Sequence, residues 1–297
     1  MLLSIKEKMY EKILLFCAMA STLVVILVGL FVFLQGYPLL EKRGFLSFLL
    51  GRDWLPGEGV FGILPMVIGT LAVTLGALII GVPLGVMTAV FLAEYAPGGI
   101  ALWTRRAVEL LAGIPSVVYG LFGMTVIVPL VRYIAVYWFE GILSPEMRTG
   151  FGIIAASLVL GIMILPTIVS ISEDALRAVP NEYKEGSFAL GVSRWQTIIY
   201  NTLPAARTGI MAGVVLGMGR AIGETMAILM VAGNAPAVPR SIFSPTRTLS
   251  GNIGLEMGYA AGEHAQALFA TGIVLFLVIM LLNSFALLIG GKGVRSG

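Results

Sequence analysis

Charge is scarce in this chain. Of 297 residues only 12% are Asp, Glu, Lys or Arg, and 58% are hydrophobic. Mean hydropathy is +0.97. A soluble domain of this length needs far more polar surface. There is one cysteine, Cys17, so no disulfide forms within the chain. It sits in an apolar run and reads as inert packing. There is one histidine, His264, beside Glu263, which excludes a histidine-based metal site and suggests an interfacial residue. Nucleotide and hydrolase signatures are missing too. The nearest approach to G-x-x-x-x-G-K-[ST] ends Gly291-Lys292-Gly293, with Ala286 where the first glycine belongs. Gly217, Gly219 and Gly223 are spaced G-x-G-x-x-x-G inside an apolar run, not after a strand. No H-E-x-x-H or G-x-S-x-G occurs. The chain therefore reads as no enzyme, with no catalytic residues, no metal and no cofactor of its own.

Long uncharged runs dominate what is there. About 20 apolar residues cross a bilayer core. Residues 13–34, 61–93, 110–131, 149–172 and 265–291 carry no charge, and a sixth run, 208–232, contains only Arg220 and Glu224. The expectation is an all-α integral membrane protein with six transmembrane helices. The first run is too long for a signal-peptide core and is read as a retained helix. Residues 1–60 make a helix and an outside loop, 61–291 the main helical block, and 292–297 a short tail. With both termini inside, inner segments hold eleven Lys and Arg, outer segments seven. That bias puts both termini and the loop 173–203 in the cytoplasm of a multi-pass cell-membrane protein. The cations sit at helix ends, where topology explains the net charge of +3 without nucleic acid. Arg105 and Arg106 read as such anchors, with Glu109 pairing to Arg105 across one turn.

The 208–232 run has internal order. On a helical wheel Gly209, Gly213 and Gly217 fall at roughly 0°, 40° and 80°, with Arg220 near 20° and Glu224 near 60°. Small residues let a neighbouring helix approach, so this face points at protein and away from lipid. A charge at helix centre costs roughly 2.5–3.5 kcal/mol on insertion scales and marks a pathway or a pair. Two readings stand open. Arg220 and Glu224 pair at i,i+4 and only fix helix register, or Arg220 lines an anion path with Glu224 setting its geometry. Pro115-Ser116, near Gly113, is a further candidate for the path. Pro83, Pro115, Pro129 and Pro166 otherwise read as kinks.

The loop before this run is polar and amphipathic. From Asn181 to Gln196 it carries Glu182, Lys184, Glu185 and Arg194 among Tyr183, Phe188, Leu190 and Trp195. That mixture suits a helix or helix-turn-helix that presents aromatics to a partner's groove. Gly191 breaks it, and Pro204 opens the next helix. The alternative is a helix lying on the membrane surface with no partner.

Glu185-Gly186-Ser187-Phe188-Ala189-Leu190-Gly191, with Leu203-Pro204 downstream, resembles the E-A-A-x-x-x-G…L-P loop of binding-protein-dependent ABC importer permeases. Leu110–Gly120, Phe91–Pro97 and Met218–Ala227 resemble the PstC-type permeases of phosphate importers, and the resemblance runs from about Phe61 to Leu288. Gly186 and Ser187 stand where that family has alanines, and Asn201 where it has isoleucine. The resemblance implies one half of a permease pair with a PstA-like partner. It implies a cytoplasmic loop (Glu182, Tyr183, Glu185, Phe188, Gly191, Trp195) that plugs into an ATPase subunit dimer, where ATP is bound and hydrolysed. An extracytoplasmic phosphate-binding protein would deliver inorganic phosphate to a path lined by Arg220, Glu224 and Ser116. Permeases for sulfate, molybdate or phosphonate share all but the G-E-T run. A channel or secondary transporter leaves the 181–196 loop unexplained.

Overall fold

The computed structural model describes residues 2–139 and 141–291; the 292–297 tail lies outside the described residues. Helix α1 (Leu2–Arg43) is 42 residues long, roughly 63 Å at 1.5 Å per residue, twice the hydrocarbon core. Its C-terminal half packs on the last helix, where Gly36 lets the backbone of Ala270 approach and Phe31 meets Phe269 edge-on. Cys17 is exposed on its flank, so it packs against nothing in this chain.

The expected loop 35–60 is more ordered than its turn signals suggest. After α1 come α2 (Phe45–Leu50) and a small antiparallel hairpin of Trp54–Leu55 on Val60–Phe61, a departure from the expected all-helical fold. Gly59, at φ 70°, closes that hairpin in the left-handed region where glycine costs least. Trp54 and Phe61 turn inward onto Leu39, Phe48, Ile63, Met66 and Leu268.

Helix α3 (Leu64–Val90) widens into a π-helical turn, Phe91–Tyr95. Helix α4 (Gly98–Gly113) ends at Ile114-Pro115, and α5 (Ser116–Phe122) begins the third crossing, continuing through the wide turn Gly123–Ile127 into α6 (Val128–Trp138). That crossing starts several residues later than the uncharged run 110–131 implies, because proline forces the preceding residue out of the helical region. Helix α7 (Ile153–Arg177) is the central element and buried over most of its length, with Ser170, Asp174 and Arg177 exposed toward its C-terminal end. Glycines make this possible on two flanks. Gly76, Gly81 and Gly85 of α3 face Ser157, Ile164 and Ile168. Gly209, Gly213 and Gly217 of α10 (Leu203–Gly223) face Ala175, Ile171 and Ile168. A Cβ at most of these positions would collide, so both flanking helices sit close.

Between α7 and α10 lie α8 (Asn181–Ala189), α9 (Arg194–Thr197) and a wide turn, Ile198–Thr202. After α10 come α11 (Met226–Val231), α12 (Leu249–Glu256) and α13 (Glu263–Gly291). Among the described residues, five helices are long and apolar enough to cross a membrane. The expected sixth, 208–232, is not one of them. The continuous helix expected there stops at Gly223, Glu224 is extended (φ −68°, ψ 131°), and a separate short helix follows.

Candidate functional site: a central arginine and an exposed helical hairpin

The break at Glu224 redraws the charged face. Glu224 leaves the helical wheel, so it does not sit on the glycine face. Its Oε1 accepts from the Ala227 amide at 3.1 Å, and its carbonyl accepts from the Ser250 hydroxyl at 2.7 Å. The carboxylate thus holds the first turn of α11, and α12 holds the break open. The i,i+4 pair expected between Arg220 and Glu224 is absent: among the described residues Arg220 makes no ion pair or hydrogen bond. It is half-buried one turn before the break. On α5 the Tyr119 hydroxyl donates to the Leu111 carbonyl at 2.7 Å. Ser116, also half-buried, lies one turn before Tyr119 at the start of the same helix. Next to Arg220, Gly219 and Gly223 have nothing within 4 Å of a built Cβ, and Leu216 and Met226 are exposed. The Leu216–Gly219–Gly223 flank of α10 is open, its glycine face is closed on α7, and Arg220 stands on the edge of the glycine face next to the open flank.

The 181–197 segment folds as two short helices turned at Gly191, whose φ of 76° is left-handed. Ser193 and Gln196 form a reciprocal capping box that starts α9. The faces divide sharply. Glu182, Tyr183, Glu185, Phe188, Gly191 and Trp195 are exposed, and Leu190 is 84% exposed. Lys184 and Ser187, one turn apart on α8, point inward. Ser187 is buried, with its Oγ 2.9 Å from Thr197 Oγ1, and it accepts from Asn201 Nδ2 at 2.9 Å. The serine and the asparagine that depart from the E-A-A pattern are therefore partners of one another across the hairpin.

Long-range pairs anchor both ends and escaped the sequence reading. Arg105 binds Glu173, not Glu109, with Nε to Oε1 at 2.8 Å, and Arg177 reaches the same oxygen at 2.9 Å. Only the i,i+4 spacing of Glu173 and Arg177 was visible beforehand. At the opposite end Glu256 is buried. It accepts from Trp54 Nε1 at 2.8 Å and Arg247 Nη1 at 2.6 Å, and lies 2.8 Å from His264 Nε2. Arg247 also donates to Asn234 O and Asn252 Oδ1, each at 3.0 Å. Burial raises the Glu256 carboxyl, but these three donors outweigh it and hold it below its ordinary value. His264, expected as a lone interfacial residue, is part of this network. Among the described residues no cluster of His, Cys, Asp and Glu is arranged to hold a metal ion.

Residues 81–292 match the family described as the binding-protein-dependent transport system inner membrane component. The chain belongs to that family. This permease is 37% identical over 280 residues to the phosphate transport system permease protein PstC of Mesorhizobium japonicum, covering 90% of this chain and 85% of that one. It is 42% identical over 246 residues to the probable ABC transporter permease protein YqgH of Bacillus subtilis, covering 80% and 76%. Its fold overlays a chain of the inward-facing MetNI methionine ABC transporter with TM-score 0.61 at 21% identity, covering 82% of this permease and all of that chain. A bacterial ABC importer of alginate aligns over 95% and 96% with TM-score 0.59 at 16% identity. At such identities the two structures share its fold alone.

Proposed function

We propose that this permease is one half of the membrane path of an ATP-driven importer of inorganic phosphate. The observation that carries the reading is Arg220: a half-buried guanidinium with no carboxylate partner among the described residues, beside a broken helix and at the edge of a flank left open by glycine. An unpaired arginine offers two parallel N–H donors to an oxyanion. Because Glu224 does not neutralise it, the charge is available to a passing anion. The curated relatives named for phosphate transport supply the substrate. In this reading α10 and α11 together make the sixth crossing, and the open flank faces a PstA-like partner permease across the path. Both termini and the α8–α9 hairpin face the cytoplasm. The hairpin's exposed aromatics seat in a separate ATPase dimer, which binds and hydrolyses ATP, and a phosphate-binding protein docks outside. Closure of the ATPases moves the hairpins and alternates the opening of the path.

The test is uptake of labelled phosphate into vesicles holding this chain with partner permease, ATPase and binding protein. ATP-dependent uptake that resists excess sulfate or molybdate is expected. Block by those anions keeps the architecture and moves the substrate. Uptake without ATP contradicts the motor-docking role of the hairpin.

A further inference from the structure

One inward residue of the hairpin reaches beyond the hairpin itself. Lys184 Nζ lies 2.6 Å from Glu94 Oε1, on the wide turn that ends α3. The Glu94 side chain is 8% exposed and that of Lys184 20%. On the next residue, the guanidinium of Arg194 from α9 stands 4.8 Å from the centre of the Tyr95 ring. Both short helices of the hairpin therefore grip the same five-residue turn. The bundle holds that turn as well: Arg177 Nη2 donates to the Leu92 carbonyl at 2.8 Å, and Arg177 and Arg105 share Glu173.

A buried ion pair is a poor device for stability alone. Desolvation offsets most of its Coulomb attraction, and apolar replacements of similar volume are often neutral or stabilising by about 1–4 kcal/mol. Its use is directional, since it fixes one geometry between two elements. The elements joined here are an exposed hairpin and a π-helical turn, a local defect found frequently at functional sites. The hairpin already continues covalently from α7 through residues 178–180 and into α10 through Ile198–Thr202. The attachment at α3 adds the third helix of the layer, on the flank of α7 opposite α10.

We propose that the Lys184–Glu94 pair is a tether that passes displacement of the hairpin to α3, so that the α3–α7 layer moves with the hairpin and not after it. Glu94 is then a positioning residue for energy coupling. This rests on the reading of the hairpin as the ATPase-docking element. With the covalent links to α7 and α10 alone, a pull moves those two helices along the α3 glycine seam. With α3 gripped as well, the same pull tilts the three-helix layer as a unit.

The experiment uses the complete complex in proteoliposomes, recording ATP hydrolysis and phosphate uptake together. Glu94→Gln and Lys184→Met are expected to assemble and to hydrolyse ATP within about twofold of wild type, while phosphate moved per ATP falls about five- to tenfold, the low end of measured coupling effects. The exchange Glu94→Lys with Lys184→Glu is expected to recover most of that ratio. The double variant Glu94→Met with Lys184→Met keeps the contact apolar and is expected to assemble but stay uncoupled. An unchanged ratio in the single variants overturns the tether, as does an assembled exchange variant no better than the singles. If the wild-type chain fails to bind the ATPase, the docking reading has failed, and that control separates the two.

Discussion

At the end of the bundle opposite the hairpin, one buried carboxylate, Glu256, gathers Trp54, Arg247 and His264 from three separate segments. At the hairpin end, Tyr183, Phe188, Leu190 and Trp195 stand in the open, and the hairpin's polar ties are the Lys184–Glu94 ion pair, the Arg194 contact with the Tyr95 ring and the small Ser187–Thr197–Asn201 cluster. The first arrangement resists any relative movement, because separating its parts strands a charge in a dry place. The second leaves its apolar side chains exposed and meets the bundle through few polar contacts. The contrast separates a fixed floor from a handle, and it assigns stability to one end and coupling to the other.

The contrast breaks most directly at Glu256. Glu256→Ala removes the shared acceptor and leaves Arg247 buried without its counter-charge, so a loss of about 3–5 kcal/mol is expected. Thermal unfolding of the detergent-purified chain reads it, and a cost no greater than that of a surface change on the hairpin removes the distinction. The converse is Tyr183→Ala combined with Phe188→Ala. Stability should stay within about 0.5 kcal/mol per exposed substitution, yet buried aromatic anchors at interfaces are worth about 2 kcal/mol or more each, so co-purification of the ATPase should be lost.

The pH response sharpens the same point. The Glu256 carboxyl is held below its ordinary value of 4.5. Its stabilising contribution is therefore complete above that value and is lost as pH falls through the lower, folded one. The unfolding free energy should drop in acid with an extra slope of at most about 1.4 kcal/mol per pH unit, and Glu256→Gln should abolish that extra slope. The smallest effect is expected at Ser187. Ser187→Ala strips Asn201 Nδ2 and Thr197 of a shared partner and should cost about 1 kcal/mol, while Ser187→Ala with Asn201→Ile, which makes the contact apolar, should be nearly neutral. A double-mutant cycle on unfolding reads the difference.

Much of this was legible in the chain. Uncharged runs mark five long apolar helices, Gly191 and Pro204 mark the turn in the hairpin and the start of α10, and the alternation of charge and aromatics from Asn181 to Gln196 marks a helical segment with one exposed aromatic face. The break at Glu224 was not legible. Nothing in Gly223-Glu224-Thr225 forbids a helix, and the interruption is held by Ser250, 26 residues away. The same holds for Lys184 with Glu94, 90 residues apart, and for Arg105, whose local option Glu109 lost to the buried Glu173. A lone histidine gave no hint of its network, because Glu256 and Trp54 come to it only through packing. Sequence spacing finds partners within a turn of helix, and these pairs are made by the fold.

The central claim is that an unpaired arginine serves the anion path while the hairpin serves the motor. It is tested most directly by Arg220→Gln in the full complex, measuring labelled phosphate uptake per assembled transporter. The account predicts that uptake is lost while ATPase, partner permease and chain still purify together. Uptake at the wild-type rate contradicts it.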